Sequence, residues 1–304
     1  MPNVLIVGSV ALDSVKTPFA EVSDALGGAA VYASVAASLL ADVRLVGVVG
    51  DDFPAEHLDM LRARGIDLAG LQQIPGGKTF RWSGEYEYDL AQARTLATDL
   101  NVFADFRPEL PAAYRDSDVV FLANIAPELQ LAVLEQVRSP LFTMCDTMNF
   151  WIEGKRNELL AVLRRVDLAL FNDAEVRELT GQPGLVSAGK EALALGPKHV
   201  VIKKGEHGAV LVSEHHYFAA PSYPLPNVRD PTGAGDSFAG GIAGFLGYTG
   251  DPSDRNLRRA LVVGTVMASY CCEAFSLERL GSITPQDVFD RYAALREMAA
   301  FGEL

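Results

Sequence analysis

Cysteine is scarce: Cys145, Cys271 and Cys272 are the only three in 304 residues. An odd count without a C-x-x-C pair or Cys/His spacing excludes a disulfide framework and a zinc site. Reduced thiols are then the default. The five histidines, His57, His199, His207, His215 and His216, also show no metal-ligand spacing. Positive charge is short as well, with 26 Lys+Arg against 39 Asp+Glu, a net charge of −13. Nucleic-acid binding and adhesion to anionic lipid are disfavoured, because both need clustered basic residues. No apolar run reaches the ~18 residues that cross a bilayer. The closest stretch, Ala29 to Leu40, is shorter and carries Tyr32, Ser34 and Ser38. The N-terminal residues lack a basic segment followed by a small-residue cleavage site, so a cytoplasmic protein is expected.

What remains is 49% hydrophobic, enough to bury a large core without staples. Val4–Val7 is an apolar run stopped by Gly8, and Ala29–Leu40 reads as a helix behind Gly27-Gly28. Val43–Val49 reads as a strand, and Pro54–Arg64 as a helix stopped by Gly65. Strand, helix, strand, helix is the rhythm of a parallel sheet with crossover helices. The rhythm breaks at Thr79–Tyr88 and Arg94–Phe103, where aromatic and polar residues alternate as in half-exposed strands. With Asp89–Ala93 as its connection, this pair reads as a lid inserted in the domain or as an edge hairpin of the main sheet.

From Asp118 the first rhythm returns. Strands are expected at Val119–Leu122, Leu141–Cys145, Leu168–Phe171, His199–Ile202 and Ala209–Val212. Helices are expected between them at Glu128–Val137, Lys155–Arg164, Ala174–Thr180 and Ser187–Leu195. The last third reads as helical: Ser237–Leu246, Asn256–Tyr270 and Pro285–Met298. No repeat or low-complexity linker divides the chain, which favours one domain.

The segment Asp230-Pro231-Thr232-Gly233-Ala234-Gly235-Asp236-Ser237 carries the strongest chemical signal. Small residues let main-chain amides converge on one point, and the helix that follows adds its positive dipole end. That is an anion hole. A carboxylate at its mouth repels an anion, so Asp236 makes sense as the base that takes a proton from a hydroxyl attacking the anion's phosphorus. The other reading makes Asp236 a helix cap only. There is no G-x-x-x-x-G-K-[ST] P-loop, and no G-x-G-x-x-G follows the first strand.

The segment resembles the C-terminal signature of the ribokinase/PfkB family of carbohydrate kinases, with Pro231 at a variable place. The resemblance extends to Gly27-Gly28 before the Ala-rich helix, to Asn172-Asp173-Ala174-Glu175 as an N-x-x-E motif, and to Lys203-Lys204-Gly205-Glu206-His207-Gly208-Ala209 as the nucleotide-side strand and its G-x-x-G turn. Asp13, after the first strand, matches the family's acidic residue that holds acceptor hydroxyls. Each motif alone is weak; together, in order, they are specific.

The resemblance implies a ribokinase-like three-layer α/β/α sandwich spanning 1–304, with a mostly parallel central sheet and a small β-sheet lid over about 12–27 and 78–104. It implies an ATP-dependent phosphotransferase acting on a hydroxyl of a small polyol, with a sugar the first expectation and a nucleoside or cyclitol the alternative. A non-catalytic sensor is the reading from another class, and the intact Asp236 argues against it. By the same resemblance, Asp236 is the base, and Gly233, Ala234 and Gly235 supply the anion-hole amides. Asn172, Glu175, Lys204, Gly205, Gly208 and Thr232 border the nucleotide. Asn172 and Glu175 organise Mg²⁺ through water, while Asn172 also suits a helix N-cap and Lys204 a solvated surface. Asp13, Gly27, Gly28 and Asn149 join Asp236 at the acceptor, and Asp230 and Thr232 lie where some family members hold K⁺. A homodimer through the lid is implied too.

Two departures bear on the acceptor. Asp146-Thr147-Met148-Asn149-Phe150-Trp151 resembles a D-x-N-x-R segment, but its Asn is displaced by one and aromatics stand where an Arg is often found. The di-glycine is followed by Ala29-Ala30-Val31-Tyr32, without the Asn that many sugar kinases carry. A phosphosugar acceptor would need basic residues, and Arg81 is the local candidate. Trp82, Tyr86 and Phe150 offer aromatic surface for a nucleobase or a sugar, or simply pack the hairpin.

Overall fold

The computed structural model describes residues 2–300 and 302. Its first half contains β1 (Asn3–Val7), β2 (Ala11–Lys16), β3 (Glu21–Gly27), α1 (Ala29–Ser38), β4 (Asp42–Gly50), α2 (Ala55–Ala63), β5 (Asp67–Ile74), β6 (Phe80–Tyr86) and β7 (Ala93–Asp99). There follow β8 (Val119–Leu122), α3 (Pro127–Leu134), β9 (Phe142–Cys145), α4 (Asn149–Gly154), α5 (Arg156–Leu163), β10 (Leu168–Asn172), α6 (Asp173–Thr180) and α7 (Leu185–Ala194). The chain closes with β11 (His199–Lys203), β12 (Ala209–Ser213), β13 (Tyr217–Ala220), α8 (Ala234–Thr249), α9 (Asp254–Cys271) and α10 (Pro285–Met298).

Nine strands form the large sheet, in the order β13-β12-β11-β10-β9-β8-β1-β4-β5. All neighbours from β11 to β5 run parallel, and only β12 and β13 are antiparallel additions at one edge. Strand β1 shows why. Val4 and Ile6 enter one core, under α1, α8 and α9, while Leu5 and Val7 enter the other, under α3, α5, α6 and α7. A strand apolar on both faces needs helices on both, each buried side chain contributing about 1.5–3 kcal/mol. The chain grows from β1 outward to β4 and β5, then returns to β8 on its other side. That reversal lies beside the end of β1, and in open sheets of this kind the crevice for ligands lies outside the carboxyl ends of the strands at such a switch point.

Helix α8 runs unusually close to its neighbours. A Cβ on Gly240 would stand 2.3 Å from the Ala33 carbonyl of α1, and one on Gly241 would meet Gly264 of α9 at 2.9 Å. The glycines of α8 are therefore contact surfaces that fix the position of its N-terminus.

A second sheet, in the order β3-β2-β6-β7, stands apart from the first. It is mixed: β2 pairs antiparallel with β3 but parallel with β6, and β6 with β7 is an antiparallel hairpin. The hairpin connection is Glu87–Gln92, wider than the expected Asp89–Ala93. Two expectations change here. The strand read over Arg94–Phe103 stops at Asp99, and Asn101–Asp105 turns into a 3₁₀ helix that begins with Asn101 at φ 48°. The helix read from Ser237 begins at Ala234, so its first turn takes in the small-residue segment itself. Strands β5 and β13 and the short α4 were not foreseen; both strands edge the large sheet and mix polar with half-buried residues.

Candidate active site

Asp230 to Asp236 lead into α8 at the crevice. Gly233 is the N-cap residue at φ 77°, a left-handed conformation suited to glycine. The Tyr32 ring of α1 lies beneath it, so close that a Cβ on Gly233 would meet ring carbons at 2.4 Å. Tyr32 itself is buried, with its hydroxyl pKa held well above the ordinary value by desolvation first and by nearby acids second. The Ala234 amide donates to the Pro231 carbonyl at 3.0 Å, which closes the turn and commits that N–H elsewhere. The amides of Gly233 and Gly235 have no such partner among the described residues, so of the three expected donors these two stay available at the positive end of a 16-residue helix.

Asp236 lies in the first turn of α8, part-exposed toward the crevice. Its pKa is pushed up to about 7, by burial first and then by the charge of Asp146, against the opposing pull of Lys203. A carboxylate balanced near neutrality suits a base that must accept a proton and release it.

Asp13, on β2, faces this group from the small sheet. Its Oδ2 accepts from the Gly28 amide at 3.3 Å, and a Cβ on Gly27 would lie 1.9 Å from that oxygen. Gly27 is thus required by the carboxylate packed against it. Asp13 is also pushed up to about 7, chiefly by burial, with Asp236 and Asp230 adding to the rise against the Gly28 amide. Asp13, Gly27, Gly28 and Asp236 therefore meet across the crevice.

Asp230 is buried, and its Oδ1 accepts from the Thr232 amide at 2.8 Å, while its Oδ2 has no partner. Burial raises its pKa above the ordinary value. The Thr232 hydroxyl bonds the Tyr86 hydroxyl of the small sheet at 3.2 Å, and the Thr232 carbonyl accepts from Cys271 Sγ. Thr232 is where the small sheet touches the anion loop.

Asn172 and Glu175 form a capping box at the start of α6: Asn172 Oδ1 accepts from the Glu175 amide at 2.8 Å, and Glu175 Oε2 accepts from the Asn172 amide at 2.7 Å. One oxygen of Glu175 is left for other work. Glu175 is pushed up to about 7 by burial, with Asp146 adding to the rise and Lys203 opposing it.

The remaining expected residues are less involved. Lys204 makes no side-chain bond among the described residues; its amide donates to the Gly208 carbonyl, closing the turn over Gly205. Asn149 is exposed as the first residue of α4, with no bond to Asp13 or Asp236. Arg81 is engaged by Asp24 and Asp52.

Sequence reasoning placed Lys203 and Asp146 in motifs but gave neither a role of its own. Lys203 ends β11 and Asp146 follows β9; Lys203 Nζ donates to Asp146 Oδ2 at 2.6 Å, with side-chain exposures of 18% and 4%. Burial depresses the Lys203 pKa, but Asp146, Glu175 and Asp236 outweigh it and hold the ammonium above its ordinary value. The available signal was their position: both stand at the carboxyl ends of large-sheet strands, where sites of this architecture lie.

A model of the family described as pfkB family carbohydrate kinase matches residues 3–278. The chain is 32% identical over 267 residues to a protein named cytidine kinase from Thermococcus kodakarensis, covering 86% of this chain and 94% of that protein. The fold is similar to that of the nucleoside kinase of Methanocaldococcus jannaschii, described as an archaeal member of the ribokinase family, at TM-score 0.77 and 19% identity, covering 97% of this chain and 99% of that one. It is also similar to the Burkholderia thailandensis nucleoside kinase solved in complex with inosine, at TM-score 0.76 and 17% identity, covering 96% of this chain and 98% of that one. Among the described residues no helix is long and apolar enough to cross a membrane.

Proposed function

The chain belongs to the pfkB family of carbohydrate kinases, and from that premise we propose that it transfers the γ-phosphoryl group of ATP to a hydroxyl of a nucleoside. Phosphoryl transfer to an alcohol is the activity of the family. The single observation that carries the mechanism is Asp236: a carboxylate raised to about 7 in the first turn of α8, beside two unpartnered amides. The nucleoside is supported by the 32% identity to a protein named cytidine kinase along nearly its whole length. The two sequence departures agree with it, since aromatics replace the basic and amide groups that a sugar or sugar phosphate would engage.

On this reading Asp13 holds the acceptor's ring hydroxyls and leaves the attacking hydroxyl against Asp236. Asp236 takes the proton as the oxygen forms its bond to the γ-phosphorus. The bond from that phosphorus to the β–γ bridging oxygen breaks, and ADP leaves. The Gly233 and Gly235 amides stabilise the equatorial oxygens; removing one comparable donor costs about 2.7–4 kcal/mol. Contact between Tyr86 and Thr232 lets the small sheet act as a lid that excludes water from the transfer.

The residues fit two cations. Asp13, Asp146, Glu175 and Asp230 are each more than nine-tenths buried beside the one ammonium of Lys203, and a bound triphosphate would add negative charge that this ammonium alone does not offset. Mg²⁺ bound to the phosphates would neutralise charge on the leaving and transferring groups, with the free oxygen of Glu175 reaching it through water. The orphaned Asp230 Oδ2 suits a monovalent cation such as K⁺ beneath the anion loop.

The test is acceptor-dependent ADP release with Mg-ATP, over cytidine, uridine, adenosine, inosine, ribose, fructose 6-phosphate and myo-inositol. Cytidine or another nucleoside is expected to lead. A clear preference for ribose or a phosphosugar, abolished in Asp236→Asn, would keep the kinase and refute the nucleoside.

A further inference from the structure

We infer that Lys203 is a catalytic residue of the transfer, its ammonium contacting the migrating phosphoryl group in the anion hole, with Asp146 as the positioning residue that aims it. The inference rests on reading the α8 N-terminus as the phosphoryl site.

Three observations converge. Lys203 Nζ lies 3.3 Å from where a Cβ on Gly235 would stand, so the ammonium lies against the residue whose amide opens into the hole. A methyl at position 235 would crowd the ammonium by a few tenths of an ångström. Of the three N–H bonds on Nζ, only the one to Asp146 has a partner among the described residues, although the side chain is mostly buried. Two N–H bonds are therefore left to offer, and a phosphate oxygen would accept them in charge-assisted bonds. Finally, the residues more than nine-tenths buried include four acids and no Lys or Arg, which leaves Lys203 as the cation of the cleft floor.

Asp146 is well placed to do the aiming. Its Oδ1 accepts from its neighbour Thr147's amide at 2.9 Å, which locks the carboxylate so that Oδ2 meets Lys203. Register fixes the other partner: Lys203 is paired with Asn172 across β10 and β11, so the ammonium and the capping box at Glu175 share one edge. During transfer Lys203 gives up no proton. It offers fixed positive charge to oxygens whose negative charge redistributes as the bond to the β–γ bridging oxygen lengthens and the bond to the acceptor forms.

A purely structural alternative exists: Lys203 neutralises Asp146 and does nothing else. Lys203→Met alone leaves a buried carboxylate unpaired and risks misfolding, so the deciding variant is Lys203→Met with Asp146→Asn, which removes both charges and keeps the acceptor for Thr147. With cytidine as acceptor, the double variant is expected to melt near the wild type and to lose roughly 100-fold or more in kcat. A double variant within threefold of wild-type kcat would overturn the inference. If wild type turns over no nucleoside of the panel, the nucleoside reading fails separately, and direct binding decides the point. Mg-ATP affinity falling about tenfold in the double variant with Mg-ADP affinity unchanged supports Lys203 at the γ-phosphate, and equal change for both nucleotides overturns it.

Discussion

The two sheets treat polar groups in opposite ways. In the large sheet polar side chains gather at the carboxyl ends of β9, β10 and β11, where Asp146, Asn172 and Lys203 are bonded to named partners. In the small sheet β7 exposes nearly every residue, and its ion pairs, such as Arg94 with Glu85, lie largely in water. Buried groups held by named partners keep their positions; half-exposed ones tolerate change. On the proposed function, phosphoryl chemistry would fall to the large sheet and acceptor choice to the small one.

The harshest test of that division is Asp236→Asn. Loss of a general base predicts a fall in kcat of roughly 10²–10⁴, with nucleotide binding retained in a titration with Mg-ATP. Near-normal turnover would move the chemistry away from α8. Asp13→Ala addresses the small sheet: the acceptor KM is expected to rise about 10-fold or more while the ATP KM changes little, and equal shifts in both would break the contrast. Tyr86→Phe removes the hydroxyl contact between the two parts. A bond of this kind is worth about 0.5–1.5 kcal/mol, so kcat/KM for the acceptor should drop by a few fold with kcat nearly constant. Glu85→Gln, at an exposed pair, should leave melting and kinetics within error.

Acidity sharpens the same point. Asp236 must be ionised to accept a proton, and its pKa is about 7, so kcat/KM is expected to climb through pH 7 and level above it. Stability runs the other way. A carboxyl whose folded pKa is raised binds its proton more tightly in the folded state, so its contribution is full below the ordinary pKa of 3.8 and is lost as pH rises through 7. Asp236→Asn should therefore melt higher than wild type at pH 8, by about 2 kcal/mol or ~5 °C, and close to it at pH 4. A lower melting temperature at pH 8 would mean that the carboxylate is a structural cap.

Much of this was legible in the chain. The apolar runs of β1, β4, β8, β10 and β11 are short-range signals, and so are the glycines flanking Asp236. The capping box at Asn172 and Glu175 could be read from spacing alone, because residues three apart in a first helical turn meet whatever surrounds them. The edge strands β5 and β13 were not legible, since half-buried polar residues carry no clear period. The end of β7 escaped for a related reason: its residues alternate as a strand should, and only the departure of Asn101 into a positive φ stops it.

Lys203 and Lys204 mark the boundary. Neighbours on a strand end point to opposite sides, so one lysine enters the crevice and the other leaves it, and the bare sequence gave no way to choose. Asp146 and Lys203 meet across 57 residues, Tyr86 and Thr232 across 146. The sequence by itself determined the small-residue turn that leads into α8 and the place of Asp236 in it, because steric rules within one turn fix their geometry. Only the tertiary structure decided which lysine and which carboxylates face them, because strand order, set by burying apolar surface on both faces of the large sheet, brings distant strand ends to one edge.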